Sequence, residues 1–251
     1  MMVVVFDLDV RDAAPMVVEL PAVHFDRDTF AAATAGRRLE VGPTRIAANT
    51  DAFALDLNVR QLKPAVTFGR AGSPMFRHGD IEIGYVQRPR VEVRGHAVIA
   101  GEKIADLVAI GAHDRHWRSS TVIGLHWIWL HVRLAGEREL VAYVVRDTRT
   151  EVARAAWEID RDAAVSLIPT FELRVLESAE TAHGAIAVRV ELGWGQHRLT
   201  LEHAVRSPYI RMRAFGDVLD LGIYEGPVRA VNGVGCEGGW LEVMPSFRPS
   251  R

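Results

Sequence analysis

The chain has 251 residues, 49 % of them hydrophobic and 25 % charged, the usage of a globular protein long enough to bury a sizeable core. Its 30 lysines and arginines against 32 aspartates and glutamates leave a formal charge of −2, so no basic excess points to nucleic acid or an anionic membrane surface. The single cysteine, Cys236, excludes an intrachain disulfide and a multi-cysteine metal site.

The opening residues, Met1-Met2-Val3-Val4-Val5-Phe6-Asp7, lack a basic segment and a sustained apolar stretch. No run reaches the length of a membrane-spanning helix, so the expectation is a soluble cytoplasmic protein without stable membrane insertion. Asp28 to Ala35 reads as a short helix, and Arg70-Ala71-Gly72-Ser73-Pro74 as a loop. From Val91 the pattern is strand. Val91, Val93, Gly95, Ala97 and Ile99 alternate with Glu92, Arg94 and His96. The chain divides best near Gly111, into residues 1–112 and 113–251.

Beyond that point lies the densest chemistry. His113-Asp114-Arg115-His116-Trp117 is followed ten residues later by Trp127-Ile128-Trp129, so three of the six tryptophans fall in thirteen residues. Ala135-Gly136-Glu137 marks a turn, and Asp160 to Leu167 reads as a second short helix. Alternation then resumes at Ile186–Leu192, Leu199–Glu202 and Ile210–Ala214. Gly193-Trp194-Gly195, Phe215-Gly216-Asp217 and Val231-Asn232-Gly233 supply further turns. Half-buried antiparallel strands of this kind build an all-β sandwich or barrel.

The ionisable and aromatic residues each carry two readings. Asp114 is a carboxylate that orients a pocket, or a clamp accepting backbone N–H bonds. Trp117 is pocket wall or core. Trp127 and Trp129 share one strand face with His131, while Ile128 and Leu130 take the other; a strand buried on both sides reads this way. Their indoles either pack a core or form an aromatic wall that stabilises extended π-systems and developing cations. His113, His116, His126 and His131 suggest a metal site, but His126 and His131 differ in parity and face opposite ways. His116 is the histidine placed to donate a proton or hydrogen bond near neutral pH. His126 heads the tryptophan strand and joins the pocket lining. Tyr85 and Tyr224 are phenolic donors. Glu225, beside Tyr224, points the other way if the segment is a strand. Arg115 pairs with Asp114, anchors an acidic or enolic group, or is solvated. No Gly-x-Ser-x-Gly elbow, Walker loop or HExxH occurs, and Cys236 reads as a small buried residue.

Four features in order carry a family resemblance. They are Leu62-Lys63-Pro64 with Gly69-Arg70-Ala71-Gly72; Tyr85 running into Pro89-Arg90-Val91-Glu92-Val93-Arg94-Gly95; Asp114-x-x-Trp117 with Trp127-x-Trp129; and Tyr224-Glu225-Gly226-Pro227-Val228 leading to Gly238-Gly239-Trp240-Leu241-Glu242-Val243. Over residues 40–245 the chain resembles the lipocalin-like family of carotenoid 1,2-hydratases (hydroxyneurosporene synthases) and natural-product Diels–Alderases. The resemblance implies two lipocalin-like antiparallel β-domains, a large polyunsaturated apolar ligand, and no metal or organic cofactor. The chain departs from the family in three places. Arg115-His116 replaces the usual His-(Glu/Gln), Ile128 replaces the aspartate of Trp-Asp-Trp, and the aromatic first strand is missing. The last departure leaves open whether the first barrel closes or pairs with another chain, and an open edge would invite a homodimer.

These features lead to three expectations. The first is a cyclase closing a [4+2] ring on a linear polyunsaturated, polyketide-like substrate by preorganisation and hydrogen bonding. Its catalytic residues would be Tyr85, His116, Tyr224 and Asp114, with Trp117, Trp127, Trp129, His126, Glu225 and Arg115 lining the substrate. The second is acid-catalysed hydration or cyclisation of an isoprenoid, with Asp114 or Glu225 as the acid. The third is a carrier of an apolar ligand without catalysis.

Overall fold

A computed structural model of the chain describes residues 2–5, 16–19, 24–25, 31–34, 37–51, 53–68, 75–99, 101–118, 124–147, 150–204, 209–214, 219–233 and 235–245. In chain order its strands are β1 (Met2–Val5), β2 (Met16–Glu19), β3 (His24–Phe25), β4 (Ala31–Thr34), β5 (Arg37–Val41), β6 (Arg45–Asn49) and β7 (Phe53–Gln61). There follow β8 (Val66–Phe68), β9 (Phe76–His78), β10 (Ile81–Ile99), β11 (Glu102–Arg118), β12 (His126–Leu134), β13 (Arg138–Arg146) and β14 (Glu151–Ile159). The last are β15 (Val165–Leu167), β16 (Phe171–Thr181), β17 (Gly184–Trp194), β18 (His197–His203), β19 (Tyr209–Ala214), β20 (Leu219–Gly233) and β21 (Cys236–Val243).

The fold is all-β, and among the described residues there is no helix. Both expected helices are corrected. Ala31–Thr34 is a strand paired with β5, and residues 28–30 lie outside the described residues. At Asp160 the carboxylate accepts the N–H groups of Asp162 and Ala164 at 2.9 and 2.8 Å. Ala163 takes a left-handed φ of 64°, and Val165–Leu167 pairs with β14. A side chain that captures local N–H groups competes with helix formation. A helix of one or two turns has little to set against a ladder of strand hydrogen bonds.

The chain forms two compact units. The first is made of Met1–Val5, Met16–Met75 and Ile83–Arg118. Its main sheet runs β11-β10-β7-β6-β5-β4-β3, all antiparallel, with β8 also beside β10. β10 pairs with β8 before Pro89 and with β7 after Arg90, and its register against β11 shifts between Arg88 and Val91. Pro89 has no N–H to give the ladder, which is why the irregularity falls there. The expected alternation holds. Phe53, Leu57, Val59, Val91 and Ala97 are buried, while Asn58, Arg60, Arg94 and His96 are exposed on the opposite side.

The second unit is made of Phe6–Pro15, Phe76–Glu82 and Ser119–Arg251. Its sheet runs β15-β14-β13-β12-β21-β20-β18-β17-β16, again antiparallel, with β19 beside β20. The sheet curls into a half-barrel, because residues far apart in strand order share one core. Leu130 and Val132 of β12 and Leu140 of β13 join Phe171 and Val175 of β16, Leu192 of β17, Leu199 and Leu201 of β18, and Leu241 of β21. Burying each leucine contributes roughly 1.5–3 kcal/mol, so this packed interior dominates the stability of the unit.

Candidate functional site

The second unit's sheet has two buried faces. Along β12, Ile128, Leu130, Val132 and Leu134 enter the barrel core. Trp127, Trp129 and His131 take the other face, with Trp129 only 9 % exposed and His131 also buried. Cross-strand register extends that second face over five strands. Trp129 lies opposite Tyr143 on β13 and Glu242 on β21. Tyr143 lies opposite Ala155 on β14, and Glu242 opposite Glu225 on β20. The adjoining row is Trp157, Val141, His131, Trp240 and Pro227. Directly paired residues point to the same side of a sheet, so two glutamates sit amid four tryptophans and a tyrosine.

Hydrogen bonds fix this arrangement. Trp127 Nε1 donates to Glu242 Oε1 at 2.6 Å, and Trp240 Nε1 donates to Glu225 Oε2 at 3.0 Å. Tyr143 and Trp157 meet with ring centroids 5.8 Å apart and planes tilted by 39°. Burial pushes the Tyr143 phenol up to about 12, so it stays neutral. Close approach of β21 to β12 is possible because position 239 is glycine. A Cβ there would lie 2.4 Å from the His131 carbonyl oxygen. Just before it, Gly238 takes φ 117° where β21 slips register against β12, between Arg133 and Leu134. That bulge sets the parity that turns Trp240 and Glu242 toward the tryptophans.

Other expected residues lie elsewhere. His126 is half-buried at the start of β12, opposite Arg146. Tyr224 neighbours Glu225 but belongs to the barrel core, where its hydroxyl meets His183 Nδ1 at 3.0 Å. His183 stands in the turn between β16 and β17. In the first unit, Tyr85 Oη donates to Asp114 Oδ2 at 2.8 Å, and Tyr85 packs on Phe68 with centroids 5.4 Å apart. Arg115, His116 and Trp117 belong to β11, with backbones paired to Val86, Tyr85 and Gly84. Their side chains, and the loop 70–74, lie outside the described residues. The first unit also carries a cavity of about 370 Å³ lined by Asn58, Val59, Arg60, Glu92 and Arg94. The Arg94 and Arg60 guanidiniums hold the Glu92 carboxyl down at about 2, so these charges already satisfy one another. Among the described residues no three His, Cys, Asp or Glu side chains gather to hold a metal ion.

With this geometry in place, the sequence matches the AttH-like family across residues 13–244. The chain belongs to the AttH-like family. That family, rather than the carotenoid hydratases or Diels–Alderases specifically, is what the match establishes. An AttH-assigned crystal structure from Nitrosomonas europaea shares the fold at a TM-score of 0.76 and 15 % identity, over 98 % of this chain and 81 % of that one. Kievitone hydratase from Nectria haematococca shares it at a TM-score of 0.70 and 17 % identity, over 96 % and 78 % of the two chains. No curated protein matches the sequence. The site residues that sequence reasoning passed over are Glu242, Trp240, Tyr143 and Trp157. The spacing of Trp240 and Glu242, two apart within a strand, already placed them on one face; their partners were not visible.

Proposed function

We propose that this protein is an acid–base enzyme that adds water to an apolar, unsaturated small molecule, with Glu225 and Glu242 as its proton-transfer pair. The observation that carries this reading is the direct cross-strand pairing of the two glutamates inside an aromatic face. Like charges placed opposite each other repel, and an aromatic, half-buried surround makes a second charge costly. In the proposed reaction one of the two carboxyls holds the proton. The carboxylic acid delivers that proton to one alkene carbon, and positive charge develops on the other. The faces of Trp127 and Trp129 stabilise that charge. Water adds to the cation, and its surplus proton returns to the carboxylate, restoring the acid. If a second alkene or a hydroxyl of the substrate adds instead of water, the same steps close a ring. Kievitone hydratase, a neighbour in fold, makes hydration the first reaction to assay.

Tyr85 with Asp114 is a carboxyl–phenol pair in the first unit, and among the described residues Phe68 is the aromatic ring packed on it. A [4+2] closure would use an apolar wall without any acid, and the assay separates the two. The full chain is incubated with kievitone and with linear terpenoid alkenes, and products are weighed by mass spectrometry. Gain of one water, lost in Glu242→Gln, is the expected result. An isomer of unchanged mass formed equally well by Glu242→Gln would replace hydration with the cyclase. Substrate bound and recovered unchanged would leave a carrier.

A further inference from the structure

The first unit holds a polar group that its fold leaves unanswered. Gln87, on β10, is 0 % exposed, and among the described residues neither its amide oxygen nor its amide nitrogen has a hydrogen-bond partner. It lies opposite Val66 on β8 and Asp114 on β11. Tyr85 lies two residues back on the same strand face, opposite Phe68. Val66, Phe68 and Tyr85 are all buried, so the amide sits in apolar and aromatic surroundings. A buried primary amide left without partners is destabilising, and native proteins keep few of them. A leucine would fill nearly the same space at no such cost. The amide is therefore explained by something it bonds only at times.

We propose that this spot is a ligand-recognition site in the first unit, and that it takes a neutral cis-amide or lactam. A glutamine amide presents an acceptor and a donor side by side. The complementary group presents a donor and an acceptor in the same spacing, as a lactam does, and forms two parallel hydrogen bonds with Gln87 Oε1 and Nε2. A carboxylic acid has similar geometry, but the Asp114 carboxylate lies directly across the strand pair and disfavours an anion. Asp114, across the strand pair from Gln87, is exposed and accepts the Tyr85 hydroxyl, so it is the solvent-side neighbour of the amide. Phe68 and Tyr85, whose rings are tilted by 51°, offer a flat ring an apolar side to lie against. This reading needs no property of Glu225 or Glu242, and its test does not depend on turnover.

The test uses the full chain labelled with nitrogen-15. The Gln87 side-chain amide signal is identified by its loss in Gln87→Leu. Titration with 2-pyridone, a small lactam, is compared with N-methyl-2-pyridone, which keeps the acceptor and lacks the donor. The expected result is a saturable shift of the Gln87 signal by 2-pyridone, binding about tenfold weaker for the N-methyl compound, and no binding to Gln87→Leu. The same variant, or Gln87→Met, should melt no lower than the native chain, since no internal hydrogen bond is lost. The proposal is overturned if 2-pyridone gives no saturable shift, if both compounds bind alike, or if both variants melt lower, as the loss of an internal bond requires.

Discussion

Replacing Glu242 by glutamine separates its chemical role from its structural one. The glutamine oxygen still accepts the Trp127 indole N–H now held at 2.6 Å. What is lost is the charge on the acceptor. Hydrogen bonds to charged groups contribute roughly 1.5–3 kcal/mol and neutral ones roughly 0.5–1.5, so the exchange costs about 1 kcal/mol. With one proton held by the pair there is no second charge to remove, so this cost is an upper bound. The net change is thus below about 1 kcal/mol, and Tm should move by less than about 2–4 °C. Turnover should fall much further, by about 10²–10⁴, the contribution of a positioned general acid. Glu242→Leu is the structural control. It leaves a half-buried indole N–H without its acceptor, which costs about 1–3 kcal/mol and lowers Tm by about 2–12 °C. Calorimetry and steady-state rates on the three proteins decide the matter. If Glu242→Gln keeps most of the native rate, or loses rate only in step with its folded fraction, Glu242 is not the acid.

Three further perturbations test other parts of the structure. Gly239→Ala puts a Cβ 2.4 Å from the His131 carbonyl oxygen and 3.0 Å from Val132 Cα, both backbone atoms that yield only if β21 moves. It should cost about 1–3 kcal/mol and reduce turnover beyond that loss by displacing Trp240 and Glu242; an unchanged Tm would refute the close approach. Tyr224→Phe removes the bond to His183 while keeping the ring in the core, so it should lower Tm by about 1–6 °C and leave the rate per folded molecule unchanged. A loss of rate at constant Tm would bring Tyr224 into the chemistry. Burial drives the His203 imidazole down to about 4, so it is neutral in the native state while the unfolded chain takes up a proton near pH 6.5. Stability is then fully present above about pH 6.5, falls as pH drops toward about 4, and levels off below, a total near 3 kcal/mol from this group at 1.36 kcal/mol per pH unit. Urea unfolding across that window should show a shallower slope for His203→Leu, and parallel slopes would disprove the assignment.

Much of the second unit could be read from period-2 alternation. The parity of Trp127, Ile128 and Trp129 places two indoles on one side and an isoleucine on the other, and the structure keeps that division. Parity also separates Tyr224 from Glu225. Pairing is another matter. Glu225 meets Glu242, and Glu242 meets Trp129, only through the registers of β20, β21 and β12. Those registers depend on turn geometry and on the bulge before Gly239, which a count of polar and apolar residues does not encode. Tyr143 and Trp157 are hidden for the same reason, since each reads alone as an ordinary strand aromatic. The two expected helices failed because local composition was weighed without the neighbouring strands that claim the backbone.

Ile128 illustrates how a correct sequence observation changes meaning once the faces are known. Read against the resembling family, isoleucine in place of aspartate removes an acid and counts against hydration. In this fold Ile128 is 1 % exposed and packs in the barrel interior. An aspartate there would be aimed among Leu130, Leu140, Leu199 and Leu201, every one of them fully buried. A buried, unpaired carboxylate in such a setting is strongly destabilising, so a chain with this interior has no use for it. The described core residues pack that interior, and the acid proposed above lies on the opposite face. On that face Glu139 is sealed at 0 % exposure on β13, while Glu225 and Glu242 stand half-buried beside the tryptophans, supplied by strands that follow β12 by roughly a hundred residues. Isoleucine at position 128 therefore bears on the core side of the sheet and does not count against the acid chemistry proposed for the aromatic side.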